Sequence, residues 1–207
     1  KNSDVRSKVR DALFGDAVDA LERLGVQAEI LQGTVPLNKN DVQGVVMGTP
    51  AFDWKACGST ILPGALCDNF TSFGAMMNGN NGQTQLSEFL RFGAAGATGT
   101  VTEPYAILDK FPVPMSQVHY ARGCSLAEAV YQSVRGPYQL LLVGDPLCQP
   151  WADIPTVAAE GIESGQTLHG MIEIKPSAKL LRNQTVLAFQ LFVDAQIVAM
   201  CKPGETL

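Results

Sequence analysis

The chain has 207 residues, 46% of them hydrophobic and 17% charged, with a formal net charge of −5. This composition excludes wholesale disorder, and the lack of any Lys/Arg cluster argues against nucleic acid or an anionic membrane as partner. No apolar run is long enough to cross a membrane as a helix, and five cysteines without a Cys-x-x-Cys pair, beside only two histidines, exclude the usual zinc spacings.

The length suits one full domain and part of another. The chain opens on Lys-Asn-Ser-Asp without an initiator Met or signal-peptide pattern, and closes on a turn-like Pro-Gly-Glu-Thr-Leu. The expectation is a piece of a longer protein.

Leu13, Ala17, Leu21 and Leu24 repeat at helical spacing across residues 5–24, and Gly25 stands where a C-terminal cap belongs. Residues 26–31 read as a short strand, 36–40 as a loop, and 42–47 as a buried strand ending at Gly48. Residues 49–59 are irregular and carry Asp53, Trp54 and Cys57. A second apolar run, 61–66, opens onto Cys67, Asp68, Asn69, Thr71 and Ser72. Asn-Gly-Asn-Asn-Gly at 78–82 reads as a flexible loop.

Residues 84–92 read as a helix with Leu86, Phe89 and Leu90 on its inner face, and the glycine-rich run 93–99 turns into the strand of Val101. That run precedes a strand and lacks the Lys-Ser/Thr of a P-loop, so it is packing and not a phosphate cradle. The strand opens onto Thr102 and Glu103, and 105–120 follows as a Pro-rich loop containing His119. Ser125 and Glu128 have capping-box spacing at the start of a helix whose Leu126, Val130 and Val134 face inward. Gly136-Pro137 ends that helix, and the apolar run 139–143 opens onto Gly144, Asp145 and Pro146.

Short apolar runs alternating with helices predict an α/β fold with a mostly parallel, doubly wound sheet. Beyond Trp151 the helical period disappears. Residues 168–174, 186–193 and 197–201 read as strands, joined by a hairpin at Asp194-Ala195 and followed by a turn at 202–204. The second part is therefore an antiparallel β-sandwich module, cut off partway. The expected division is 1–153, an α/β domain without its first strand, and 154–207, the β module.

With these residues in place, the chain resembles the gingipain-type branch of the caspase-like fold, in which an immunoglobulin-like β-sandwich also follows the α/β domain. It is more similar still to a set of uncharacterised secreted bacterial proteins of planctomycete type. They share Asp-x-x-Thr-Ser-Phe-Gly, Gly-Thr-Val-x-Glu-Pro-Tyr and Gly-Asp-Pro-Leu, which stand here at 68–74, 99–105 and 144–147. The resemblance covers roughly residues 12–152 and implies a secreted or cell-envelope location. In that fold a His-Gly at one strand end activates a Cys at the end of the next. Cys67 stands at the nucleophile's place, yet the preceding strand runs out through Met-Gly-Thr-Pro-Ala-Phe-Asp without a His. The two histidines are His119 and His169.

A cysteine with no base beside it is a weak nucleophile at neutral pH, and the adjacent Asp68 raises its pKa further. The expectation is a binding or structural protein without a Cys/His catalytic pair. The alternative is a cysteine endopeptidase with Cys67 as nucleophile and His119 recruited from the loop. Ser72 does not complete a nucleophile elbow, because the glycine two residues before it is absent.

Asp68, Glu103 and Asp145 each follow an expected strand, and a parallel sheet would gather them at its carboxyl edge. Three such carboxylates would either bind a cation such as Ca²⁺ or each tie a loop by accepting backbone N–H groups. With Thr71 and Ser72 they form the candidate ligand site, for a protein or peptide in preference to nucleic acid. Trp54 and Trp151 are expected at loop and domain junctions. Cys124–Cys148 is the first pair to test for a disulfide, with buried free thiols the alternative. Asn69 and Asn183 head glycosylation sequons, which a bacterial origin would leave idle.

Overall fold

In the computed structural model, which describes residues 4–78, 82–180 and 185–207, the apolar runs of the first 150 residues become one sheet. Its strands are β1 (Val42–Met47), β2 (Ile61–Asn69), β3 (Gly96–Thr100) and β4 (Leu140–Gly144), in that spatial order. β1, β2 and β3 are parallel, and β4 is antiparallel to β3. An antiparallel edge strand on an otherwise parallel sheet is a common arrangement. Here it has a direct cause in the chain between β3 and β4.

That connection holds two helices. The Pro-rich stretch expected to be a loop contains α5 (Met115–Ala121), so His119 lies on a helix. The expected capped helix, α6 (Leu126–Tyr131), follows with both halves of its Ser125/Glu128 capping box formed. The two lie antiparallel, the Val113 N–H before α5 donating to the Ser133 carbonyl after α6 at 2.8 Å. One helix would return the chain to the start of β3 for a parallel crossover. The second carries it back again, and β4 must run the other way.

The helix expected over 5–24 is broken into α1 (Val5–Arg10), a 3₁₀ turn at Asp11–Leu13, and α2 (Phe14–Arg23). Gly25 adopts φ +77° as its cap. The strand expected at 26–31 does not form: the segment pairs with no described strand. A four-residue helix, α3 (Trp54–Cys57), capped by the Asp53 side chain, lies inside the irregular 49–59 stretch. The helix expected at 84–92 contracts to α4 (Ser87–Arg91). The glycine-rich run is not a turn before the strand but largely the strand itself, every residue of β3 being buried. A Cβ on Gly99 would lie 3.1 Å from the Ala75 nitrogen. Residues 79–81 of the expected flexible loop, and Asn183 and Gln184 of the second sequon, lie outside the described residues.

Side chains of β2 alternate between two cores, as the two-residue strand period requires. Ala65 and Cys67 join Trp54, Leu86, Phe89 and Ala97 on one face. Leu66 joins Tyr120, Leu126, Ala129 and Val130 on the other, and a third cluster of Ala17, Ala20 and Val118 joins α2 to α5. Both faces of the sheet are therefore covered.

The chain forms two compact units, 1–152 and 153–207. The second unit holds two antiparallel pairs, β5 (Thr156–Glu160) with β6 (Lys175–Lys179) and β7 (Phe189–Val193) with β8 (Gln196–Cys201). The hairpin at Asp194-Ala195 is formed, both residues taking positive φ (49° and 63°), as a tight two-residue turn requires. The strand expected at 168–174 is displaced to β6, and β5 has no counterpart in the sequence reading. No described helix is long and apolar enough to cross a membrane.

Candidate functional site

The carboxyl ends of β1, β2 and β3 face the same edge, where open α/β sheets bind ligands. Cys67 sits near the end of β2 but turns into the Trp54/Phe89 core, 0% exposed. Burial raises its thiol pKa far above the ordinary value, and the Asp68 charge raises it further; the Val45 backbone amide offsets only part of this. His119 is on the far side of the sheet. Its helix packs on the face of Leu66, through Tyr120 and through a 3.0 Å hydrogen bond from Gln117 Nε2 to the Leu66 carbonyl. Partial burial and the nearby Arg122 lower the His119 pKa. Cys67 and His119 thus do not form a pair.

Asp68 points to the opposite face from Cys67 and meets a partner invisible in the sequence pattern. Arg10, on α1, places Nη2 2.5 Å from Asp68 Oδ2, and the two residues are 2% and 1% exposed. Thr98 Oγ1 donates to the other carboxylate oxygen. The guanidinium also donates to the carbonyls of Pro112 (2.5 Å) and Met47 (3.4 Å) and lies 5.4 Å from the Phe70 ring centre. Asp68 is therefore the buried counter-ion that ties α1 to the sheet. Nothing in the spacing of Arg10 on α1 signals this; only the tertiary fold does.

Glu103 lies in an exposed loop past β3, its Oε1 accepting from the Tyr105 N–H at 2.8 Å, with Tyr105 held at φ +56°. Asp145 follows β4, and because β4 is antiparallel it emerges at the amino end of β3. Its N–H donates to the Ala95 carbonyl at 2.8 Å, and its Oδ1 accepts from the Leu147 N–H at 3.0 Å. The expectation that Asp68, Glu103 and Asp145 share one edge is corrected: one is buried, one is exposed beyond β3, and one is at the opposite edge. Among the described residues no group of three His, Cys, Asp or Glu is placed to hold a metal. Each carboxylate binds locally, by an ion pair or a backbone N–H.

Thr71 and Ser72 do come together with Glu103. They line a cleft of about 80 Å³ with Arg6, Phe70 and Tyr105. Thr71 Oγ1 donates to Gln83 Oε1 at 2.8 Å, and the carbonyls of Thr71 and Ser72 both accept from Thr100 Oγ1. Arg6, missed in the sequence, is held there by a 3.0 Å hydrogen bond from Nε to the Phe70 carbonyl and a 3.1 Å ion pair with Asp4.

The Asn69 side-chain amide is buried and bonded both ways to the Thr49 backbone, at 3.0 Å each, so this sequon is closed in the folded protein. Trp54 is fully buried and donates to the Ser59 carbonyl at 3.0 Å, which makes it a core residue, while Trp151 packs half-buried against the Leu66 core. All five cysteines are free, Cys124 and Cys148 included. No protein-family model, curated protein or solved structure matches the chain.

Proposed function

We propose that this chain is a binding or structural part of a secreted or cell-envelope protein, built as a caspase-like α/β domain followed by an immunoglobulin-like β module. The secreted setting and the two fold names follow from the motif resemblance. The mixed sheet with helices on both faces and the antiparallel pairs of the second unit are compatible with it. One observation carries the non-catalytic reading: the Cys67 sulfur is sealed in an apolar core, with His119 across the sheet. A thiol in that setting stays protonated at neutral pH, and substrate cannot reach it.

The cleft at the carboxyl edge is the ligand site in this proposal. At about 80 Å³ it is smaller than the ~300–1,000 Å³ of small-molecule pockets, and it suits one side chain of a protein or peptide partner. Arg6, paired with Asp4, and Glu103 both line it.

A peptidyl epoxide or halomethyl ketone tests the reading. Site-resolved mass spectrometry should find Cys67 unmodified in the native protein, with the half-exposed Cys124 and Cys148 reacting first. Selective, stoichiometric labelling of Cys67 that His119→Ala abolishes would establish a cysteine peptidase instead.

A further inference from the structure

β4 closes the strand order of the sheet and pairs only with β3 among the described residues. The hydrogen bonds at its two ends fix which of its backbone groups are free. The Val101 N–H donates to the Gln139 carbonyl at 3.0 Å, and the Asp145 N–H to the Ala95 carbonyl at 2.8 Å. Between them the register is one to one, with Gly99 opposite Leu141 and Ala97 opposite Val143. Backbone groups alternate in direction along an antiparallel ladder, so Leu141 and Val143 aim theirs at β3, while Leu140, Leu142 and Gly144 aim theirs outward. The Leu140 N–H turns back to the Pro137 carbonyl. The N–H groups of Leu142 and Gly144, and the carbonyls of all three, have no strand partner among the described residues. Natural edges are commonly blunted by a Pro, a charge or a bulge. This one has none of them: residues 138–144 read Tyr-Gln-Leu-Leu-Leu-Val-Gly, and the register has no shift. Leu141 is 36% exposed, Tyr138 before the strand 96%, and Leu147 after it 77%.

We infer that the β4 edge pairs with the β4 edge of a second copy of this chain, antiparallel about a twofold axis at Leu142. The strand selects this occupant because in that register it is complementary to itself. Leu142 meets Leu142 of the second copy, and the two exchange both backbone bonds. Each Gly144 N–H donates to the Leu140 carbonyl of the other copy. Leu140 then lies opposite a glycine, which leaves room for its side chain, and Leu141 lies opposite Val143 as a cross-strand apolar pair. In the same register the exposed Tyr138 falls opposite Pro146, and Leu147 opposite Pro137. No charge lies between Tyr138 and Gly144 to be desolvated. Asp145 falls opposite the neutral Gln139, at the end that carries Arg135, whose side chain is 86% exposed and 3.7 Å from Asp109. A parallel pairing in register would instead set Asp145 beside Asp145, which is unfavourable. Such an isologous contact closes at two copies and joins their four-stranded sheets into one. This inference is independent of the function assigned to Cys67 and the cleft.

Sedimentation velocity and residue-resolved hydrogen exchange on the 207-residue chain test the pairing. A five-residue strand makes a small interface, so the mass should rise from monomer toward dimer between about 5 and about 500 µM, as weak association requires. Over that range the Leu142 and Gly144 N–H groups should slow in exchange by at least about tenfold, and those of Leu141 and Val143, already bonded to β3, by much less. Leu141→Lys puts a charge on the pairing edge and should hold the chain monomeric at the highest concentration. The exchange comparison needs no substitution, so a folding defect in the variant cannot obscure the result. A monomer at the highest concentration with both amides exchanging fast overturns the assignment. A dimer in which they stay fast also overturns it, since the contact would then lie elsewhere. Slow exchange of both amides in a monomer does the same, because another part of the chain would then cover the edge.

Discussion

Arg10 and Asp68 meet where almost no water reaches, so their energetics differ from those of the surface ion pairs elsewhere in the chain. Removing one partner of such a pair leaves the other charge buried and uncompensated, at a cost of about 3–5 kcal/mol. Asp68→Asn and Arg10→Met should each lower unfolding stability by about that much in urea titrations. The double variant should lose clearly less than the sum of the two, because neither charge is then left alone. Strict additivity would mean that the pair does not act as a unit. Cys67, one position earlier, gives a pH signature. Its folded pKa is raised by burial and by the Asp68 charge. Stability is therefore undiminished below pH 9.0, the thiol's ordinary value. Above it the unfolded chain releases a proton that the folded chain keeps, and stability falls by up to about 1.4 kcal/mol per pH unit. Wild type minus Cys67→Ala, measured by urea unfolding from pH 8 to 11, should show this slope and remove the parallel effect of Tyr120, whose pKa is also raised by burial. The sequence identified Cys67 as a strand-end thiol beside a carboxylate. It could not show which face of the strand the thiol takes, because that depends on what packs there.

At the scale of elements, the parts legible in the sequence are those whose signal is local. The capping box of α6 is one: Ser125 accepts from the Glu128 N–H at 3.3 Å while Glu128 accepts from the Ser125 N–H at 2.8 Å. The same bonds lower the Glu128 pKa. Ser125→Ala should destabilise the protein by about 1 kcal/mol in chemical denaturation, with little change in the circular dichroism of the folded state. A loss indistinguishable from zero would mean the box is redundant with the Leu126 and Ala127 N–H bonds to the 146–148 loop. The Asp194-Ala195 hairpin and the strands of Val45 and Leu66 were legible for the same local reason. Elements that depend on distant partners were not. The 26–31 segment has a strand's pattern and no strand beside it among the described residues. α5 was hidden by the prolines before it, although Pro114 stands at its N-cap, where a missing N–H costs little.

The missed helix decides the layout of the whole first unit. One helix between β3 and β4 predicts a parallel β4 and three carboxylates at one edge; two helices reverse β4 and move Asp145 to the other. An apolar run such as Leu140–Val143 encodes a strand but not its direction, which depends on how many helices precede it. The candidate site was therefore legible in its residues and misplaced in its assembly, with Thr71, Ser72 and Glu103 together but Asp68 and Asp145 apart. The consequence for metal binding is direct. Ca²⁺ needs six to eight oxygen ligands converging at about 2.3–2.6 Å, and these acids each bind a different partner: Arg10, the Tyr105 N–H and the Leu147 N–H. A ligand that binds only the folded state at a hundred times its Kd adds about 2.7 kcal/mol of stability, so a real site would move the melting temperature by several degrees. Millimolar Ca²⁺ and excess chelator should give the same melting temperature within a degree. A calcium-dependent rise that Glu103→Gln and Asp145→Asn each abolish would require the two strand ends to meet, and would contradict the antiparallel pairing of β4 with β3.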